Sequence, residues 1–268
     1  MSVTNFRRAS LQNGFPKSSD FADIAGPPPP STIPTSSLEL WLRPENISAS
    51  AGLVNGYTDA SPAGRSITAA SGYVPAVSTV YLNGYSGSYF PGSVAIKWFD
   101  YTTDIWDIGS GLNASTVTAV FYPDLAQGGN YGSFVSQGGG GKTSVLCCPQ
   151  SYPNASIQWA TDNYANGGRR TVGTSALNQW YKVTWTWSDW QTRSTTKIYL
   201  SNVEQSSQDW NGAPNPVAGG NRYIGRALDF GVDAITSGTL MELLVWRRVL
   251  SSNELADVNN VLNTKYGL

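Results

Sequence analysis

The sequence predicts an all-β fold, a sandwich or jelly roll, preceded by an extended N-terminal arm and closed by one C-terminal helix. Three observations carry this. Short apolar or alternating runs recur between residues 38 and 247, separated by Gly- and Asn-rich turn signals. Helical periodicity is confined to the C-terminus. Finally, 28 Gly, 10 Trp and 14 Tyr among 268 residues supply turn formers together with enough apolar surface for a sizeable core.

The arm comes first. Residues 1–37 carry few core formers; Phe6, Leu11, Phe15 and Phe21 are spaced like separate anchors. Pro27, Pro28, Pro29 and Pro30 favour an extended polyproline II rod and exclude a helix or a central strand. Two readings stay open, a disordered tail or an arm held by another subunit, because an isolated Pro-rich segment has nothing to offset its ordering entropy. At Leu38 the character changes. "LELWLRP" alternates, with Leu38, Leu40 and Leu42 on one face and Glu39, Trp41 and Arg43 on the other, as in a half-buried strand. Further strands are expected over 93–99, 117–122, 132–136, 144–148, 157–160, 181–187, 195–200, 222–225 and 240–247. Asn55-Gly56, Asn83-Gly84, Gly128-Gly129-Asn130, Asn166-Gly167-Gly168 and Gly219-Gly220-Asn221 read as turns between them. Ser251 with Glu254 forms a capping box that opens the helix. Leu255, Val258, Val261 and Leu262 form its apolar stripe, and Gly267 is placed to cap its end.

Composition removes several function classes. Charged residues are 13% of the chain and the formal net charge is −1, so there is no basic face for nucleic acid. Histidine is absent, which removes the commonest general base and the commonest zinc ligand. The two cysteines, Cys147 and Cys148, are neighbours and give no disulfide framework. The chain therefore either folds in a reducing cytoplasm or needs no bridges. No apolar run reaches the roughly 18 residues of a membrane span, and "MSVTNFRRASLQNGF" lacks the apolar core of a secretory signal. "GGGGKT" looks like a phosphate-binding loop, but the first glycine of that pattern falls on Ser136, and the residues after Lys142-Thr143 read as a strand. The stretch is expected to be a hairpin whose tip, Gly138–Gly141 with Lys142, lies on a rim.

"NQWYKVTWTWS…TTKIYLSNVEQ" is similar to the paired strands of laminin-G-like, concanavalin A-like domains. "RYIGRALDF…GTLMELLVWRRVLSSNELADVNNVLNTKYG" resembles their closing segment, and "LELWLRPENI" their opening strand. The resemblance covers roughly residues 38–268 and is clearest at the C-terminal end; residues 44–115 show no match to the pattern. It implies a two-sheet jelly roll over 38–268 and leaves activity open, since the same sandwich serves lectins, adhesion modules and some glycosidases.

Glycoside hydrolysis needs two carboxylates facing one sugar. The relatives' E-h-D-x-x-E string (h, hydrophobic) is absent, and Asp100, Asp104 and Asp107 of "FDYTTDIWDIG" read as solvated loop acids. Some members of such families hold Ca²⁺ at the rim; Asp162 with Asn163, Asp229 and Asp233 are the candidates here, against a plain loop-capping role, and no other cofactor is expected. Sugar recognition combines aromatic faces with amides and carboxylates. "DNYANGGRR", "WSDWQTR" and "QDWNGAPN" carry such sets, giving a candidate site of Trp190 and Trp210 with Asp162, Asn163, Asp189, Gln191, Asp209 and Asn211. One of the faces presented by "WTWSDW", with Trp185 and Trp187 together, is expected to be core.

The sequence thus points to a non-enzymatic structural or adhesion protein of a bacteriophage virion, assembled in the host cytoplasm as a head decoration or tail adhesin. Its expected partners are other virion proteins, through the arm, further copies of itself, and host-surface glycans. The alternative is a bacterial carbohydrate-binding or glycoside-hydrolase module.

Overall fold

The computed structural model describes residues 33–91, 97–106, 114–124, 133–139, 142–152, 156–163, 167–189, 193–209, 221–229, 232–235 and 237–268. β1 (Leu38–Leu42) leads through a 3-10 turn (Pro44–Asn46) into β2 (Ile47–Ser50), β3 (Leu53–Thr58), β4 (Ser66–Ala69), β5 (Ala76–Leu82) and β6 (Tyr85–Pro91). The middle of the chain forms β7 (Phe99–Tyr101), β8 (Ser115–Pro123), β9 (Val135–Gly139), β10 (Lys142–Tyr152), β11 (Ser156–Asn163), β12 (Gly167–Thr171) and β13 (Ser175–Ala176). The last third holds β14 (Tyr181–Trp187), β15 (Lys197–Leu200), β16 (Val203–Glu204), β17 (Ser207–Asp209), β18 (Asn221–Ile224), β19 (Arg226–Asp229), β20 (Val232–Ile235), β21 (Ser237–Trp246) and helix α1 (Ser252–Tyr266).

The described strands pair antiparallel and stack as two layers. The first runs β16–β15–β14–β8–β21, with β1 and β6 sharing the free side of β21 and β5 beyond β6. The second runs β2–β3–β4–β7–β18–β9–β10–β11–β12–β17. The layers join where Leu53 of β3 meets Ala76 of β5. Between them lies the main core. Leu40, Leu42, Val117, Ala119, Phe121, Val183, Trp185 and Val245 face Val54, Tyr57, Ile67, Phe99, Val135, Ile157, Trp159 and Ile224. Trp185 and Trp187 are therefore core, as their shared face predicts.

Helix α1 covers the other face of the first sheet, so that sheet is buried on both sides and all ten residues of β21 are buried. A second apolar cluster fills this space: Leu38, Tyr85, Val120, Met241, Leu244, Trp246, Leu250, Val258, Val261, Leu262 and Tyr266. The capping box is present: Ser251 Oγ accepts from Glu254 N, and the Glu254 carboxylate accepts from Ser251 N. Arg248 donates to both Glu254 oxygens at 2.7 and 2.6 Å and, with the Ser251 amide, holds that carboxyl down at about 2. Gly267 ends the helix at φ 71°, as expected of a left-handed cap. Leu255, expected in the helix stripe, is only partly buried against the cluster, whereas Val258, Val261 and Leu262 are buried in it.

Some expectations are corrected. Leu38 does not share a face with Leu40 and Leu42. A bulge between Leu38 and Leu40 turns Leu38 to the helix side while Leu40 and Leu42 face the sandwich. A matching irregularity at Met241 lets Leu240 and Leu243, three apart, both face the sandwich core. Asn55-Gly56 is not a turn but the middle of β3. A Cβ on Gly56 would lie 2.1 Å from the Ile67 carbonyl oxygen, so the glycine serves close strand approach. Asn83-Gly84 is the expected turn, with φ 49° and 83°, a type I′ pattern. The Gly-rich stretch is a hairpin: β9 pairs with β10 from Lys142↔Gly139 onward. The strand expected over 93–99 begins in the described chain only at Phe99, and β2 to β6 were not foreseen.

Residues 33–37 lie on the domain. Ile33 is buried, Trp246 Nε1 donates to the Pro34 carbonyl at 2.7 Å, and Arg247 N donates to the Ser37 carbonyl at 2.9 Å. Phe6, Leu11, Phe15, Phe21 and Pro27–Pro30 lie outside the described residues.

Candidate functional site

The stretches that carry the expected sugar site are distant in sequence, and the fold brings them to one corner of the second sheet. β11 and β12 form a hairpin in which positions 162 and 163 pair with Gly168 and Gly167, next to its tip. β17 lies on the other side of β12, with Asp209 directly across from Arg169. Arg169 Nε stands 3.5 Å from Asp209 Oδ1. The same guanidinium donates through Nη1 to the carbonyls of Ser194 and Thr196, at 3.1 and 2.7 Å, in the segment after β14. That segment is closed on itself: Asp189 N donates to Thr195 Oγ1 at 3.2 Å, and Thr195 Oγ1 donates to the Asp189 carbonyl at 2.9 Å. One arginine thus ties the β12 strand, the Asp189 loop and β17 together, because its planar fork can serve a carboxylate and two carbonyls at once.

Exposure at this corner suits recognition. Asp209 is about half exposed (48% of its side chain), and Arg169 keeps 22% of its side chain accessible. Arg170 and Gln208 sit across from each other on the same two strands. With its amide oxygen turned toward Arg170, Gln208 accepts from Nε and Nη2 at 3.1 and 3.2 Å. An exposed ion pair of this kind contributes only about 0–1 kcal/mol to stability. It holds donors and acceptors fixed at the surface.

A second polar and aromatic group gathers on β7 and β18. Trp98 Nε1 donates to Asp100 Oδ1 at 3.1 Å. Arg226 lies 4.0 Å over the Trp98 ring and 4.9 Å over Tyr223, and the Tyr73 ring lies 4.1 Å from Trp98. Trp98 is thus buried among these groups and offers no platform for a sugar ring. Burial pushes the Asp100 carboxyl upward, against the pull of the Trp98 hydrogen bond and Arg226. Asp104 is paired with Arg222 at 2.5 Å. Arg65 fixes the same segment by donating to the carbonyls of Thr103 and Asp104. Both acids are thus engaged by protein donors.

The model of the concanavalin A-like lectin/glucanases superfamily matches residues 102–256. The chain belongs to this superfamily. Solved structures share the fold of this concanavalin A-like domain. Trypanosoma rangeli sialidase in complex with the inhibitor DANA is 18% identical, with a TM-score of 0.52 over 90% of this chain and 36% of its own. The botulinum neurotoxin serotype D binding domain is 13% identical, with a TM-score of 0.53 over 84% of this chain and 51% of its own. The chain thus spans about a third of the sialidase and half of the neurotoxin structure. No curated protein matches it in sequence.

Of the expected site residues, the concanavalin A-like domain brings Asp189 and Asp209 to the Arg169 corner. Asp162 and Asn163 have described backbone there. Trp190, Gln191, Trp210 and Asn211 lie outside the described residues, as does Asp107. Asp229 and Asp233, the other Ca²⁺ candidates, sit in the β19–β20 hairpin. Among the described residues, no group of three His, Cys, Asp or Glu side chains is placed to hold a metal ion. Sequence reading passed over Arg169. Its signal was its place in "DNYANGGRR", one residue from the turn glycines.

Proposed function

We propose that this concanavalin A-like domain is a non-catalytic recognition module. It binds glycans at the Arg169 corner and is carried on a virus particle through its N-terminal arm, in several copies. The observation that carries the reading is the convergence of three sugar-site stretches on one arginine, with a half-exposed carboxylate beside it. Polar groups fixed by their own hydrogen bonds lose little entropy when they meet hydroxyls. Two observations support a non-catalytic role. Asp100 is bonded to Trp98, and Asp104 is ion-paired to Arg222, whereas glycoside hydrolysis needs two carboxylates free to face one sugar. The fold itself is shared with a neurotoxin binding domain as well as with sialidase chains. The Pro-rich composition of residues 1–32 supports the anchoring role.

The binding half is tested on immobilised host-surface glycans. Arg169→Ala should weaken binding at least tenfold, equivalent to about 1.4 kcal/mol, while Arg222→Ala leaves it unchanged. Equal binding by wild type and Arg169→Ala would remove the corner from the reading. The anchoring half is tested by deleting residues 1–32. The remaining domain should fold and bind glycan as before but fail to join its particle. Normal incorporation would sink the arm's role.

A further inference from the structure

A separate cleft lies on the helix side of the first sheet. Where α1 crosses β14, the strand presents Lys182, Thr184 and Thr186 rather than aliphatic residues, and β8 beside it presents Thr116 and Thr118. These side chains are buried, although a sheet face beneath a helix is ordinarily apolar. Some of the strip is satisfied internally. Lys182 Nζ donates to Asn263 Oδ1 at 2.5 Å, the hydroxyls of Thr118 and Thr184 meet at 2.9 Å, and Thr116 Oγ1 donates to the Arg248 carbonyl. Toward β15 the strip opens into a cleft of about 280 Å³ lined by Thr184, Tyr199, Asn202, Leu255, Asn259 and Asn260, among others.

The chemistry of this lining selects its ligand. Three carboxamides offer donors and acceptors together, whereas the Thr184 hydroxyl is already engaged with Thr118. Tyr199, its hydroxyl bonded to Thr186 and Glu204, brings a ring, and Leu255 an apolar patch. Among the described residues lining the cleft, none is charged. Within that lining an ionic ligand would find no counter-charge. An apolar one would leave the amides without partners, which is costly on desolvation. The volume lies near the lower end of small-ligand pockets, about 300 Å³. We propose that this cleft binds a neutral, polyhydroxylated ligand of monosaccharide size, with Asn202, Asn259 and Asn260 reading hydroxyls and Tyr199 and Leu255 meeting the C–H face. The site shares no residue with the Arg169 corner and stands independently of the function proposed there.

The test is a titration of the full chain, ¹⁵N-labelled, with glucose, galactose, mannose, N-acetylglucosamine and, as a charged control, glucuronic acid. At least one neutral sugar should shift the side-chain amides of Asn202, Asn259 and Asn260 saturably, with Kd around 1 mM, while glucuronic acid does not. Ala256→Trp, which fills the cleft from an exposed helix position, should weaken this at least tenfold without lowering Tm. Asn259→Ala should weaken it as well, and Arg169→Ala should leave it intact. Absence of saturable shifts with every neutral sugar would overturn the proposal. So would shifts that survive both Ala256→Trp and Asn259→Ala.

Discussion

Glu242→Ala is expected to destabilise the domain by about 3–5 kcal/mol, the usual cost of breaking a buried ion pair from one side. Glu242 lies on β21 and is 1% exposed. Its Oε1 accepts from Trp41 Nε1 at 2.7 Å, and its Oε2 accepts from Lys265 Nζ at 2.8 Å and from the Tyr266 hydroxyl. Burial and this carboxylate push the Tyr266 phenol well above its ordinary range, so it remains a donor. Lys265 is also buried and reaches Glu45 at 2.9 Å. This carboxylate thus fastens β1 and the end of α1 onto β21, and Lys265 ties in the following 3-10 turn through Glu45. Its removal leaves an ammonium with half its counter-charge and two buried donors without acceptors. Glu242→Leu combined with Lys265→Met removes charge from both sides and should recover part of the loss, the Trp41 and Tyr266 donors still lacking acceptors. Denaturant midpoints check this. A single variant within about 1 kcal/mol of wild type would mean that the helix is not held by this network.

Trp159→Ala is the second large expectation, at about 3–5 kcal/mol. Trp159 is fully buried in β11 and faces Trp185 of the opposite sheet, with ring centroids 6.3 Å apart. Phe134 and Tyr181 pack on it at 6.3 and 5.3 Å, and its Nε1 donates to Ser175 Oγ at 2.8 Å. The truncation opens a cavity between the sheets and strands the Ser175 partner. β11 also carries β12 and hence Arg169, so glycan binding should fall along with stability. Trp159→Phe keeps most of the packing and should lose less of both. If Trp159→Ala melts with wild type, the aromatic cluster does not join the layers.

How much of this was legible depends on how local the determinant is. β14 occupies the expected residues 181–187 because "YKVTWTW" alternates cleanly against a core of large side chains. The capping box is legible because its two residues are three apart. β2 to β6 are not, because runs such as "ISAS", "SITA" and "YSGSYFP" are rich in Ser, Thr and Gly and become strands only through their neighbours. Gly56 misleads for the same reason: its need for a bare backbone comes from Ile67, in another strand. The bulge that turns Leu38 away from Leu40 leaves no mark on an alternating pattern. At the corner, Asp189 and Asp209 could be proposed from composition. The role of Arg169 could not, because two of its partners are backbone carbonyls more than twenty residues away.

The most direct measurement for the proposed role is incubation of the purified chain with a panel of host-surface polysaccharides, following retention and released reducing ends together. The expected result is saturable retention on at least one glycan, lost in Arg169→Ala, with no reducing ends above the buffer control. Release of reducing sugar that disappears when Asp100 or Asp104 is replaced would contradict a non-catalytic role, and failure to retain any glycan would contradict recognition at the corner.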